Sequence, residues 1–262
     1  MGEETSISWT DHTFNPWWGC VRVDAACLHC YAEAFSKRVG QKVWGTEAPR
    51  RLFGEKHWKE PQKWNAAARG GGLFGAGERP RVFCASMADV FEDRRDLDPE
   101  RDKLWRLIEN TPNLDWLLLT KRPENVKRLV PYSGTAGSWP DNVWLGATTG
   151  DRAGFAKRVP ILRDIPAKVR FLSVEPLLED MGPMDLDGIH WAIAGGESGG
   201  HYREMNPEWA RGVRNQCIEQ DVAFWFKQHS GQFSGNNPLL DGIEYHQLPT
   251  TPFSPRRELA HA

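Results

Sequence analysis

The chain has 262 residues, 40% hydrophobic and 26% charged, the balance of an ordinary globular protein and a length that suits one large unit or two ordinary ones. Its net charge of −2 excludes a wholesale basic face for duplex DNA, although 33 Lys and Arg residues are available to cluster locally. No stretch approaches the roughly 18 apolar residues of a membrane helix, and the opening MGEETS lacks the basic and apolar segments of a secretory signal. The expected location is therefore the cytoplasm with no membrane contact, where five cysteines do not make a disulfide framework.

In chain order, a first strand is expected at residues 13–18 and a helix over 30–38. Residues 40–80 carry Gly70, Gly71 and Gly72 among several charges and read as an insertion, a helix near 59–68 plus a mobile loop. From residue 81 one rhythm repeats: a short apolar run, a polar turn, a helical segment. The runs are 81–86 (RVFCAS), 115–120 (DWLLLT), 142–148 (NVWLGAT), 170–174 (RFLSV), 191–194 (WAIA) and 223–227 (AFWFK). Each is nearly continuous in apolar residues, the mark of a strand covered on both faces. Helices are expected at 99–110, 123–129, 153–165 and 207–220, several opening on a proline whose fixed φ suits a first turn. The alternation predicts an α/β fold, a partial or irregular (β/α) barrel of about six to seven parallel strands similar to a TIM barrel. That barrel is assigned to residues 1–230, and residues 231–262, ending in Ser254, Pro255, Arg256 and Arg257 before a short tail, to an irregular C-terminal extension.

Nearly every run ends in polar residues: Ser86 and Asp89, Thr120 with Lys121 and Arg122, Thr148 and Thr149, Ser173 and Glu175, Glu197 and Ser198, Lys227 and Gln228. In a parallel barrel these strand ends share one rim, the face on which active sites are built. Tight turns and helix caps also begin with such residues.

Three of the five cysteines lie within eleven residues, in Gly19-Cys20-Val21-Arg22-Val23-Asp24-Ala25-Ala26-Cys27-Leu28-His29-Cys30-Tyr31. Thiolates at C-x6-C-x2-C spacing can hold three irons of a 4Fe–4S cubane and leave the fourth open to another ligand. S-adenosylmethionine can take that place through its amino and carboxylate groups, and an electron passed into its sulfonium releases a carbon radical. An electron donor is then an expected partner. Two readings compete: a zinc site completed by His12 or His57, and reduced structural thiols. Cys84, inside an apolar run, and Cys217, on a helix, read as core.

The segment resembles the cluster loop of the radical S-adenosylmethionine superfamily, whose common spacing is C-x3-C-x2-C, so the six residues between Cys20 and Cys27 are a departure. His29 fits the ring residue that commonly precedes the last cysteine. Further pieces, including Ser8-Trp9-Thr10-Asp11, Leu119-Thr120-Lys121-Arg122-Pro123, Ser173-Val174-Glu175-Pro176 and Phe226-Lys227-Gln228, resemble an uncharacterised phage and prophage family known for its three-cysteine motif. The superfamily resemblance implies metal ligation by Cys20, Cys27 and Cys30. It also implies cofactor contacts from His29, Tyr31, Ser86, Asp89, Thr148, Thr149, Ser173, Glu175, Gly195 and Gly196. In the superfamily a Gly-Gly-Glu segment receives the methionine amino group at the second strand. Here Gly195-Gly196-Glu197 follows a later strand, and residues 86–89 hold the corresponding position. Lys121, Arg122 and Lys227 face the same rim, cations that suggest a phosphate-bearing substrate, a nucleotide or nucleic acid, with Glu197 as a further substrate contact and Trp17, Trp18 and Trp44 available to stack a base. The expected function is a radical S-adenosylmethionine enzyme. The alternative is a non-catalytic barrel, stabilised by zinc or a cluster, that binds nucleic acid or a partner protein.

Overall fold

The computed structural model describes residues 5, 7–69, 79–131 and 139–250. The glycine triplet at 70–72 and the Ser254–Arg257 region lie outside them. Seven strands make one parallel sheet: β1 (His12–Thr13), then β4 (Arg81–Cys84), β5 (Asp115–Thr120), β6 (Val143–Thr148), β7 (Arg170–Val174), β8 (Trp191–Gly195) and β9 (Ala223–Gln228), hydrogen-bonded in that order. The result is a half-barrel, the expected α/β partial barrel. Helices flank it: α1 (Tyr31–Arg38), α2 (Glu55–Trp58), α3 (Glu60–Ala68), α4 (Asp98–Glu109), α5 (Val126–Leu129), α6 (Arg152–Arg163) and α7 (Pro207–Glu219).

The strands read as apolar runs because both faces are buried. Alternate residues Val82, Cys84, Trp116, Leu118, Leu145, Leu172, Ala192 and Phe224 join the core beneath the helices. Their neighbours Phe83, Leu117, Trp144, Phe171, Trp191 and Trp225 close the concave face around Trp9. Rings there meet edge to face, Trp191 against Trp144 at 6.2 Å and against Trp225 at 6.1 Å between centroids. Gly146 is required at this floor: a Cβ on it would stand 2.3 Å from Cζ of Phe171.

One expectation needs correction. The first strand does not run through residues 13–18. His12–Thr13 joins the sheet, whereas β2 (Trp17–Trp18) pairs antiparallel with β3 (Arg51–Leu52) in a separate two-stranded sheet. Pro16 has no N–H for a ladder, and the Asn15 side chain turns instead to the loop after β4, accepting from Met87 N at 2.7 Å. Among the described residues the chain between β7 and β8 carries no helix, as the helices expected from the sequence left it. The described residues after Gln228 are irregular, as expected, and pack on the barrel: Leu240 is fully buried, Tyr245 packs on the core, and Trp225 pairs with His246. No helix among the described residues is long and apolar enough to cross a membrane.

Candidate functional site

The carboxyl ends of the strands open into one cavity of about 950 Å³. Its floor includes Trp9, Phe83 and Leu119, and above them the inward positions Thr148, Ser173 and Lys227 end three strands. The wall opposite is the loop between β2 and α1 with Cys20, Cys27, His29, Cys30 and Tyr31. The rim expected from the sequence is therefore one place. It gathers all three motif cysteines, His29, Tyr31, Ser86, Asp89, Lys121, Arg122, Thr148, Ser173, Glu175, Gly196, Glu197 and Lys227.

Two predicted residues stand outside the wall. Thr149 is fully buried and its hydroxyl has no hydrogen-bond partner. Gly195 sits under Glu175, where a Cβ would meet Oε1 at 2.7 Å, so its lack of a side chain makes room for that carboxylate and not for a ligand. Gly196 is a close-approach position as well, since a Cβ would lie 2.3 Å from the backbone N of Ser230. Trp17 is fully buried and lines no part of the cavity, and Trp18 is held edge to face between Phe35 and Phe53. Among the three tryptophans named for stacking, Trp44 is the half-buried one at the wall. Exposed Tyr31, expected as a cofactor contact, and Phe233, which the sequence did not single out, complete an aromatic mouth.

The cysteine loop is held by arginines from three distant parts of the half-barrel. Arg122, after β5, donates through Nη2 to the Val21 carbonyl at 2.7 Å and points Nη1 at Cys20 Sγ, 3.6 Å away. Arg158, on α6, pairs with Asp24 and donates to the backbone carbonyls of Lys121 and Thr148 at 2.9 Å each. Arg203 bridges Glu197 to the Ala25 carbonyl, at 3.0 Å from the latter. Within the loop the Asp24 carboxylate accepts from Ala26 N at 3.0 Å, capping the single turn Ala25–Cys27, and Cys30 stands at the N-terminus of α1. Arg158 and Arg203 were not found from sequence. An arginine in the buried stripe of α6, in line with Gly154 and Leu162, is the signal that marks the first; nothing local marks the second.

This geometry commits three expected ligand contacts to protein partners. Asp89 is buried, and both its oxygens are taken: Oδ1 accepts from Thr120 Oγ1 at 2.8 Å and Phe91 N at 3.0 Å, Oδ2 from Lys121 N at 3.1 Å and Arg122 Nη1 at 3.0 Å. It aims Arg122 and leaves no acceptor for an ammonium. Arg122 likewise spends both terminal nitrogens on protein acceptors instead of a phosphate. Glu197 is committed to Arg203; against burial, which pushes it up, that guanidinium holds its carboxyl below the usual range. Lys227 pairs with Glu175 at 3.2 Å, an ion pair within which Oε1 makes no hydrogen bond. Lys121 has no ion-pair partner among the described residues.

Burial pushes the Cys20 thiol up to about 11, and Asp89 adds to this while Arg122 opposes it. Burial also raises Cys30. All five cysteines are free, and Cys84 and Cys217 are wholly buried in the core. His12 stacks on Trp64 at 4.3 Å, and His57 lies against Phe14 with Nε2 on the Asn15 carbonyl at 2.8 Å. Neither lines the cysteine cavity, so a zinc site completed by one of them finds no support. Among the described residues no three His, Cys, Asp or Glu side chains converge on a point that would hold one ion. A cubane takes one thiolate per iron, a donor set that needs a shared cavity and not a shared point, and three free thiols on one wall fit it.

Residues 4–249 match the family described as a protein of unknown function, DUF5131. The chain belongs to that family. No curated protein and no solved structure matches this DUF5131 member.

Proposed function

We propose that this DUF5131 member is a radical S-adenosylmethionine enzyme. Cys20, Cys27 and Cys30 would hold a 4Fe–4S cluster, and the chain would work in the cytoplasm with a separate electron donor on a nucleotide or nucleic-acid substrate. One observation carries the reading: three free cysteines and the polar ends of parallel strands face each other across a single cavity. The motif's resemblance to the radical superfamily, and of the longer pieces to the phage three-cysteine family, supports it. Bound together, cluster and cofactor supply one-electron cleavage of a sulfonium.

The chain's own residues do the rest. The three arginines keep the cysteine loop against the strand ends. Thr148, Ser173 and the Glu175–Lys227 pair offer hydroxyl, carboxylate and ammonium groups for a cofactor bearing ribose hydroxyls and an amino acid. The apolar floor of Trp9, Phe83 and Leu119 keeps water from the cavity base, which protects a reactive carbon radical. Lys121 presents an unpaired cation to an anionic substrate, and Trp44, Tyr31 and Phe233 offer ring faces at the mouth, where stacking on a base is worth about 1–3 kcal/mol each.

Anaerobic reconstitution tests the reading. About four irons and four sulfides per chain are expected, with Cys27→Ala losing most of the iron and Cys84→Ala keeping it. Strong reductant and S-adenosylmethionine should then release 5′-deoxyadenosine slowly without substrate. Stoichiometric zinc with no labile sulfide would refute the proposal and favour the non-catalytic binding barrel.

A further inference from the structure

A chain of hydrogen bonds runs from the end of β5 to the first motif cysteine. The Asp89 carboxylate is fixed by four donors, three of them backbone or hydroxyl groups of its own loop and of β5's end. The fourth is Arg122 Nη1, at 3.0 Å. Arg122 is held a second time by its own backbone, whose N–H donates to Thr120 Oγ1 at 2.9 Å. Its side chain is only 10% exposed and so has little freedom to turn elsewhere. From that fixed position Nη1 lies 3.6 Å from Cys20 Sγ and Nη2 lies 2.7 Å from the Val21 carbonyl. The fork thus grips two successive residues at the entry of the loop.

We infer that Arg122, aimed by Asp89, is a positioning residue for Cys20: it fixes the cysteine against the strand ends and supplies its sulfur with a charged N–H donor. The inference rests on the proposed cluster for its redox consequence and on geometry alone for the clamp. A cation donating to a cluster sulfur stabilises the added electron, so removing it makes reduction harder. A lysine keeps the charge but not the planar fork that serves sulfur, carbonyl and carboxylate together.

Two measurements test this. In the metal-free protein, the Gly19 amide donates to the Met87 carbonyl at 2.9 Å and the Gly45 amide to the Cys20 carbonyl at 3.0 Å, so both report opening of the loop. Hydrogen exchange at these two amides should rise about tenfold in Arg122→Gln, with β5 amides unchanged, and less in Asp89→Asn, which keeps one carbonyl oxygen for the neighbouring donors. In the reconstituted protein, the one-electron reduction constant should fall about tenfold in Arg122→Gln, equivalent to about 59 mV, and stay within about threefold in Arg122→Lys. A purely structural clamp would not separate the Gln and Lys potentials. Unchanged exchange in Arg122→Gln overturns the inference, as does raised exchange with Gln and Lys potentials alike. Should Arg122→Gln not fold, Asp89→Asn carries the exchange arm with the same sign at smaller size, and wild-type exchange in it overturns the inference. A wild type that assembles no cluster refutes the proposed function separately; loosened exchange then supports the clamp and native exchange overturns it.

Discussion

Arg50 and Glu92 form an ion pair with side-chain exposures of 1% and 4%, joined at 2.6 and 3.1 Å. The same guanidinium donates to the carbonyls of Val43, Gly45 and Ala48 at 3.0, 3.2 and 2.7 Å. It therefore folds residues 43–50 against the cysteine loop, where Gly19 packs so tightly that a Cβ would stand 2.2 Å from the Val43 carbonyl oxygen. Arg50→Met keeps an unbranched apolar stem that ends short of the guanidinium, and removes its charge and donors. Glu92 is left buried and unpaired, which costs about 3–5 kcal/mol. The three freed carbonyls push towards the upper end. For a chain of this size about 1 kcal/mol lowers Tm by roughly 2–4 °C, so a fall of about 6–20 °C is expected. Thermal unfolding followed by circular dichroism measures it, and urea midpoints check that the slope is unchanged. Arg50→Met with Glu92→Met should lose less than the sum of the single changes, because the stranded charge is gone. An Arg50→Met protein within about 1 kcal/mol of wild type would refute the reasoning, since the penalty of an uncompensated buried carboxylate would not exist.

Gly146→Ala should cost about 1–3 kcal/mol by overpacking the barrel floor, since the Phe171 ring it strikes is wedged between Trp9 and Trp191; Phe171→Leu in the same chain should recover part of the lost Tm. Burial, opposed by Arg79, pushes the Asp115 carboxyl up to about 7. The folded protein then holds a proton there that the unfolded chain releases near pH 3.9, so stability should fall as pH rises from about 4 to 7 and level off above. Asp115→Asn should flatten that slope in urea unfolding at several pH values, and a wild-type slope in the variant would remove Asp115 as the cause. Among the cavity cations Lys121 and Arg38 have no carboxylate partner among the described residues, so binding of a short single-stranded oligonucleotide should vary with log salt at a slope between about −0.7 and −1.4. Lys121→Met should remove about half of it, and a slope beyond about −3 would mean that the paired arginines grip phosphate after all.

Strands were legible because each run carries its own signal. Phe83, Trp144, Phe171 and Trp225 face the floor while their neighbours face the helices, and burial on both sides leaves no polar gap. The rim was legible for the same local reason, as a polar residue at the inward end of each strand. What those residues do was not. Asp89 and Glu197 look like free carboxylates in sequence, yet one is taken by Arg122 and the other by Arg203. The first strand failed for a different reason: the apolar stretch 13–18 hides Pro16, which splits it between two sheets.

The unusual C-x6-C spacing acquires a physical account from the same contacts. Of the six residues between Cys20 and Cys27, three are anchors: the Val21 carbonyl takes Arg122, the Asp24 carboxylate takes Arg158, and the Ala25 carbonyl takes Arg203. Asp24 serves twice, since it also caps the turn that delivers Cys27. The three arginines arrive from the end of β5, from α6 and from the segment before α7, so the loop is tied to three separate crossovers of the half-barrel. A three-residue spacer would offer half as many backbone groups and no room for both the cap and the carboxylate partner. A loop of six free residues would be costly to order, at about 1–2 kcal/mol of backbone entropy each, and charged hydrogen bonds of about 1.5–3 kcal/mol apiece are of the size needed to offset it. The longer spacing and the three arginines are thus one device: the extra residues supply the acceptors, and the crossovers supply the donors that hold Cys20 and Cys27 at the cavity wall.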